Sequence, residues 1–92
     1  MSDYVLVCWG MATVGVETPP ELIGQYLKSF DVEAHDGRGT AEWTDDVTLA
    51  MQFADVVEAV QVWRTQSKVR PLREDGRPNR PLTAFHMEPR ML

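Results

Sequence analysis

Four arginines, Arg70, Arg73, Arg77 and Arg80, follow one another at intervals of three, four and three residues. A guanidinium is a planar, permanently charged fork that suits the paired oxygens of a carboxylate or a phosphate. These intervals would place the four on one helix face, but Pro71, Pro78 and Pro81 forbid a helix there. The chemistry on offer is therefore oxyanion recognition by an irregular segment. Six of the nine basic residues lie between Arg64 and Arg80, opposed locally only by Glu74 and Asp75. Residues 1–63 carry eleven carboxylates against Lys28 and Arg38, a net of −9, and from Arg64 onward seven bases face three acids, a net of +4, which together give −5. The chain has an acidic body and a cationic, proline-rich strap at 68–81, a segregation that governs fields and partners rather than fold.

The strap admits three readings. Its arginines clamp it onto the body through Glu33, Asp36, Glu42, Asp45 or Asp46, or they face outward, or the segment is mobile. Exposed ion pairs each contribute only about 0–1 kcal/mol, so clamping requires several shared carboxylates. The outward reading makes Arg70, Arg73, Arg77 and Arg80 a docking surface for an acidic protein or for phosphates, with Trp43 or Trp63 available to stack. Glu42, Asp45 and Asp46 then form an acidic counterpart for a basic surface. The binding set is Arg70, Arg73, Arg77, Arg80, Trp43, Glu42, Asp45 and Asp46.

Other constellations are poor. His35 and His86 are the only histidines, and no ligand spacing joins them. Asp36, Glu42, Asp45 and Asp46 could be an acidic catalytic group, but capping explains the aspartates more simply. Ser2, Ser29 and Ser67 lack an elbow motif. Gly37-Arg38-Gly39 lacks the Gly and Lys of a phosphate-cradling loop. Cys8 is the single cysteine, lies in an apolar run, and reads as a small hydrophobe in a reducing, cytoplasmic setting. Ninety-two residues suffice for one domain and one core, not for a core plus a deep substrate cleft. We expect no enzyme activity, no cofactor and no metal. No apolar run approaches a membrane span, and Met1-Ser2-Asp3 lacks the basic start of a signal peptide.

The elements that position these residues follow from pattern. Tyr4 to Trp9 is an apolar, β-branched and aromatic run ending at Gly10, and reads as a strand buried on both faces. Thr18-Pro19-Pro20-Glu21 signals a helical turn through about residue 23. Gly24 weakens its continuation, so 25–31 is read as a strand, with a continuous helix through Phe30 as the alternative. Asp36-Gly37 and Gly39 mark a turn with positive φ. Thr40–Thr44 reads as a strand, Asp45-Asp46 as the cap of a short turn through Leu49, and Met51–Phe53 as a short strand. Asp55 and Glu58 open the main helix as a capping box, with Val56, Val57, Val60 and Trp63 at helical spacing and Ala59 beside them, ending at Ser67 or Lys68. Thr83–Met87 returns as a strand. The sum is a single α+β domain: a mainly antiparallel sheet of four or five strands with one helix, about 55–67, on one face. If the last strand joins the sheet, the strap must cross an edge or end of the domain and is held at both ends.

The segment from Arg70 to Phe85, with its Asp75-Gly76-Arg77-Pro78-Asn79-Arg80-Pro81-Leu82-Thr83-Ala84-Phe85 run, resembles the C-terminal part of small uncharacterised proteins encoded by bacteriophages and prophages. Gln25–Asp31, Asp36-Gly37-Arg38-Gly39, Trp43-Thr44 and Trp63 fit the same pattern, so the resemblance spans roughly 24–86. Glu74 stands where that pattern has a proline. The resemblance implies a phage origin and carries no activity or site residue. The sequence leads to a non-enzymatic protein-interaction module, binding a host or phage protein and conceivable as an inhibitor of a host defence or regulatory complex. Its alternative is an accessory nucleic-acid binder that uses the strap on phosphates.

Overall fold

The computed structural model describes residues 3–11, 17 and 19–92. The apolar run forms β1 (Tyr4–Met11), an inner strand of a four-stranded antiparallel sheet of order β3-β2-β1-β4, with β2 (Tyr26–Asp31), β3 (Thr40–Thr44) and β4 (Phe85–Met91). Both faces of β1 are buried, as its continuous apolarity predicts. Leu6 joins Leu27, Val32, Phe53, Ala59, Leu82 and Met87 in the main core, while Val5 and Val7 pack with Ala50 on the other side. The pairing of β1 with β4 slips between Cys8 and Gly10. This bulge turns Trp9 to the surface, where it is 44% exposed. Pro89, which cannot donate to a ladder, is accommodated because β4 is an edge strand.

The strand reading of 25–31 holds. Pro20–Leu22 makes a single 3₁₀ turn, and Gly24 at φ +84° ends it. The Gly24 N–H donates to Cys8 O and the Cys8 N–H to Gln25 O, so the chain joins the sheet instead of continuing as a helix. The proposed Thr18 cap lies outside the described residues. Asp46 caps the turn Val47–Leu49 through the Thr48 N–H, as expected.

The main helix, α2 (Val56–Trp63), opens as predicted. The Asp55 carboxylate accepts the Glu58 N–H at 2.8 Å and Glu58 accepts the Ala54 N–H at 3.2 Å. It ends about a turn before the predicted Ser67. The Thr65 hydroxyl back-bonds to Gln61 O at 3.1 Å, and Ser67 is drawn into contacts outside the helix. The buried face also differs from the valine stripe. Ala59 is fully buried, Val62 and Trp63 pack against the core, and Val57 is exposed. At 100° per residue Val57 lies about 160° from Ala59. The rotation is fixed by the Trp63 indole, whose Nε1–H donates to both Leu82 O and Phe85 O at 3.1 Å.

Two short strands are revised. Met51–Phe53 supplies only a lone bridge, Phe53 with Tyr4. The last strand starts at Phe85 rather than Thr83, because Pro81–Ala84 forms a 3₁₀ turn, and runs on to Met91.

Candidate interaction surface

The strap is a short hairpin. The Asn79 N–H donates to Pro71 O at 2.9 Å, Leu72 bridges Pro78, and the Arg73 N–H donates to Arg77 O at 2.8 Å. Asp75-Gly76 makes the tip, with Gly76 at φ +84° and Asp75 Oδ1 accepting the Arg77 N–H. The prolines set the legs in extended backbone and leave few N–H groups to satisfy.

Its base is tied to the body by main-chain groups. Glu33, just past β2, accepts the Lys68 N–H at 2.8 Å, the Val69 N–H at 3.2 Å and the Ser67 hydroxyl. Ser67, 1% exposed, in turn accepts the Arg70 N–H at 3.1 Å. Asn79 Nδ2 donates to Gly37 O at 2.6 Å and Arg70 O at 2.9 Å, and the Ser67 N–H donates to Asn79 O. The receiving turn, α1 (Ala34–Gly37), is left-handed in part: His35 and Asp36 have φ of 52° and 59°. Gly37 and Gly39, also at positive φ, let the strap approach. A β-carbon on Gly37 would stand 2.6 Å from Arg70 Cβ, and one on Gly39 would stand 2.5 Å from Pro81 Cβ. So the body does clamp the strap, with a carboxylate the sequence reading considered, but it holds amides and a hydroxyl rather than guanidinium groups. Ser67 and Asn79 were missed. The signal was an amide side chain set between prolines, with enough donors to bridge two turns.

The Ser67 hydroxyl, then the Lys68 and Val69 amides and the Lys68 charge, hold the Glu33 carboxyl below its usual range. A carboxyl lowered in the folded state contributes stability above its ordinary pKa, and that contribution is lost as pH falls through the folded value. Hydrogen exchange at the Lys68 and Val69 amides should therefore accelerate, relative to other protected amides, as pH drops below about 4.5, the ordinary Glu value. Glu33→Gln should show that acceleration already at neutral pH. Exchange at the two amides that ignores both changes would dismiss Glu33 as the anchor.

The guanidinium groups remain largely outside this network. Arg70 meets Glu74 at 3.8 Å and Arg77 meets Asp75 at 3.9 Å, both within the hairpin and both solvent-exposed. Such pairs are weak. Among the described residues no carboxylate lies within 4 Å of the Arg38, Arg73 or Arg80 guanidinium. Arg70 and Arg73 line an open cleft of about 450 Å³ with Gly37, Arg38, Glu74, Asp75 and Asn79. Arg77 sits by the tip, and Arg80 precedes the 3₁₀ turn into β4. The structure thus brings Arg70 and Arg73 together and leaves Arg77 and Arg80 outside the cleft.

Comparison with protein-family models, with curated proteins and with solved structures finds no match to this chain.

The remaining predicted site residues are dispersed. Trp43 packs edge-to-face on Phe85, 5.0 Å between ring centres, at the margin of the core, so its ring is not a free stacking platform. Glu42 and Asp45 are exposed on and just after β3. Asp46 is engaged in its cap, and the Thr48 hydroxyl and N–H lower its pKa. Among the described residues none of the three pairs with an arginine within 4 Å. Trp9 carries its own cation, with the Arg90 guanidinium 5.1 Å from the ring centre and Nε1–H donating to Glu88. Cys8 is buried, and burial pushes its thiol up, which keeps it protonated and suits packing. Among the described residues no three His, Cys, Asp or Glu side chains gather as metal ligands, and no helix is long and apolar enough to cross a membrane.

Proposed function

We propose that this chain is a non-enzymatic protein-interaction module whose arginine hairpin docks on an acidic surface of a partner. The carrying observation is the division of labour within the strap. Glu33 and Asn79 fix its backbone, while among the described residues no body carboxylate lies within 4 Å of the guanidinium groups between residues 70 and 80. A loop ordered before binding loses less entropy on docking. The segregated charge favours fast, oriented encounter more than raw affinity. On the resemblance to phage proteins, the partner is a host or phage protein in the host cytoplasm, and inhibition of a host complex is the specific case. Glu42 and Asp45, exposed on and just after β3, carry part of the body's opposite charge.

Nucleic acid is the weaker partner, because Trp43 and Trp63 are engaged in packing and Glu74 and Asp75 stand among the arginines. The test combines two measurements. Affinity purification from the native host with the Arg73→Glu, Arg77→Glu double variant should lose, by more than tenfold, a partner that the unaltered protein retains, with unfolding unchanged. Labelled DNA and RNA should not bind at low salt. Equal retention by both proteins would remove the hairpin from the interface. Nucleic-acid binding with a log–log salt slope of about −3 to −4 would transfer the hairpin to phosphates.

A further inference from the structure

The cleft between the hairpin and the α1 turn contains a cation that the strap does not supply. Arg38 belongs to the acidic half of the chain, at the end of α1. Its N–H is fixed on Ala34 O and His35 O, and Gly37 and Gly39 flank it. We propose that this cleft is a recognition pocket for an oxyanion on an acidic segment of a partner protein, with Arg38 from the body and Arg70 and Arg73 from the hairpin as its cationic walls. This deepens the reading of the hairpin as a docking element and rests on it.

Three observations converge. The three guanidinium groups are unclaimed or loosely claimed: among the described residues Arg38 and Arg73 have no carboxylate within 4 Å, and Arg70 has only Glu74, at 3.8 Å, whose side chain is 94% exposed. The walls are joined, because Asn79 Nδ2 bridges Gly37 O and Arg70 O at 2.6 and 2.9 Å and so spans the body and hairpin sides of the pocket. Such preorganisation is what a multidentate anion site needs. The volume, about 450 Å³, admits one or two acidic side chains with their flanking backbone.

Glu74 and Asp75 select the ligand class. They share the cleft with the arginines and would repel a continuous phosphate backbone. A protein segment of mixed charge avoids this. Its carboxylate or phosphate monoester meets the guanidinium forks, while a neighbouring lysine or amide meets Glu74 and Asp75. Carboxylate and phosphate monoester share this chemistry.

The test follows the arginine Nε–H resonances of the isotope-labelled protein during titration with three probes. These are an acetylated peptide containing Glu-Glu-Lys, the same peptide with phosphoserine in place of the glutamates, and a single-stranded oligonucleotide. Arg38, Arg70 and Arg73 should shift together and saturate with at least one peptide, and the tighter peptide identifies the natural anion. Arg38→Ala should weaken that peptide about tenfold, the loss of one charge-assisted contact. Lys28→Ala, which removes the same charge from β2, should change it less than twofold. Shifts at Arg70, Arg73 and Arg77 with none at Arg38, or unchanged affinity in Arg38→Ala, overturn the pocket while leaving the hairpin as a docking element. The absence of a saturable shift at any arginine overturns both. Tighter binding of the oligonucleotide than of either peptide overturns the ligand class.

Discussion

Gly37→Ala is expected to lower the unfolding free energy by about 2–5 kcal/mol and to release the hairpin from the body. Two costs add at this residue. The backbone is at φ +84°, where an L side chain costs about 1–2 kcal/mol. The new methyl would also collide with Arg70 Cβ at 2.6 Å and Ser67 Oγ at 2.8 Å, and neither is the free end of a flexible chain, since Ser67 is buried and bonded to Glu33. The loss is a large part of the 5–15 kcal/mol typical of a folded domain. Gly76→Ala is the comparison, because its φ is also +84° but nothing lies within 4 Å of the added carbon. It should show the backbone cost alone, about 1–2 kcal/mol. Chemical denaturation of both variants, with amide exchange at Lys68 and Val69, measures the difference. Equal losses at the two glycines would mean that the close approach of hairpin and turn contributes nothing.

Trp63→Ala should cost about 3–5 kcal/mol. The ring is half-buried against the core, and its N–H joins α2 to Leu82 and Phe85, where the chain enters β4. Removal would open space beneath the helix and leave both carbonyls without this donor. Trp63→Phe separates the two contributions. It keeps most of the apolar contact and loses the indole donor with a small part of the ring, so about 1–3 kcal/mol is expected. Denaturant midpoints check both values. A loss well under 1 kcal/mol for the alanine variant would show that the ring merely rests on the surface.

What could be read in the sequence was whatever local rules decide. The unbroken apolar run of β1 gave a strand buried on both sides, Asp55 with Glu58 gave a capped helix start, and Asp36, Gly37 and Gly39 gave a left-handed turn. The α+β architecture followed from these. Features set by distant partners were not readable. Helix α2 stops early because Ser67 is claimed by Glu33, which is 34 residues away. The run of β4 past Met87 was obscured by Pro89, which signals a stop unless the strand is known to lie at an edge. Trp43 reads as a docking ring in the sequence, and only its pairing with Phe85 shows it packed at the margin of the core. In the candidate site, the arginines announced themselves by charge. Arg38 did not, because its membership depends on the fold bringing the α1 turn against the hairpin.

The register of the sheet also constrains how the domain is made. Tyr4 pairs with Met91 and Met11 with Phe85, so β1 waits for the most distant strand in the sheet. During synthesis, residues 85–91 must leave the ribosome before β1 acquires its second neighbour, and until then an apolar strand edge stays open to wrong pairing. Closure over so long a span is slow. The order of synthesis and the order of pairing are thus opposed in this sheet, since its first strand is completed only by its last.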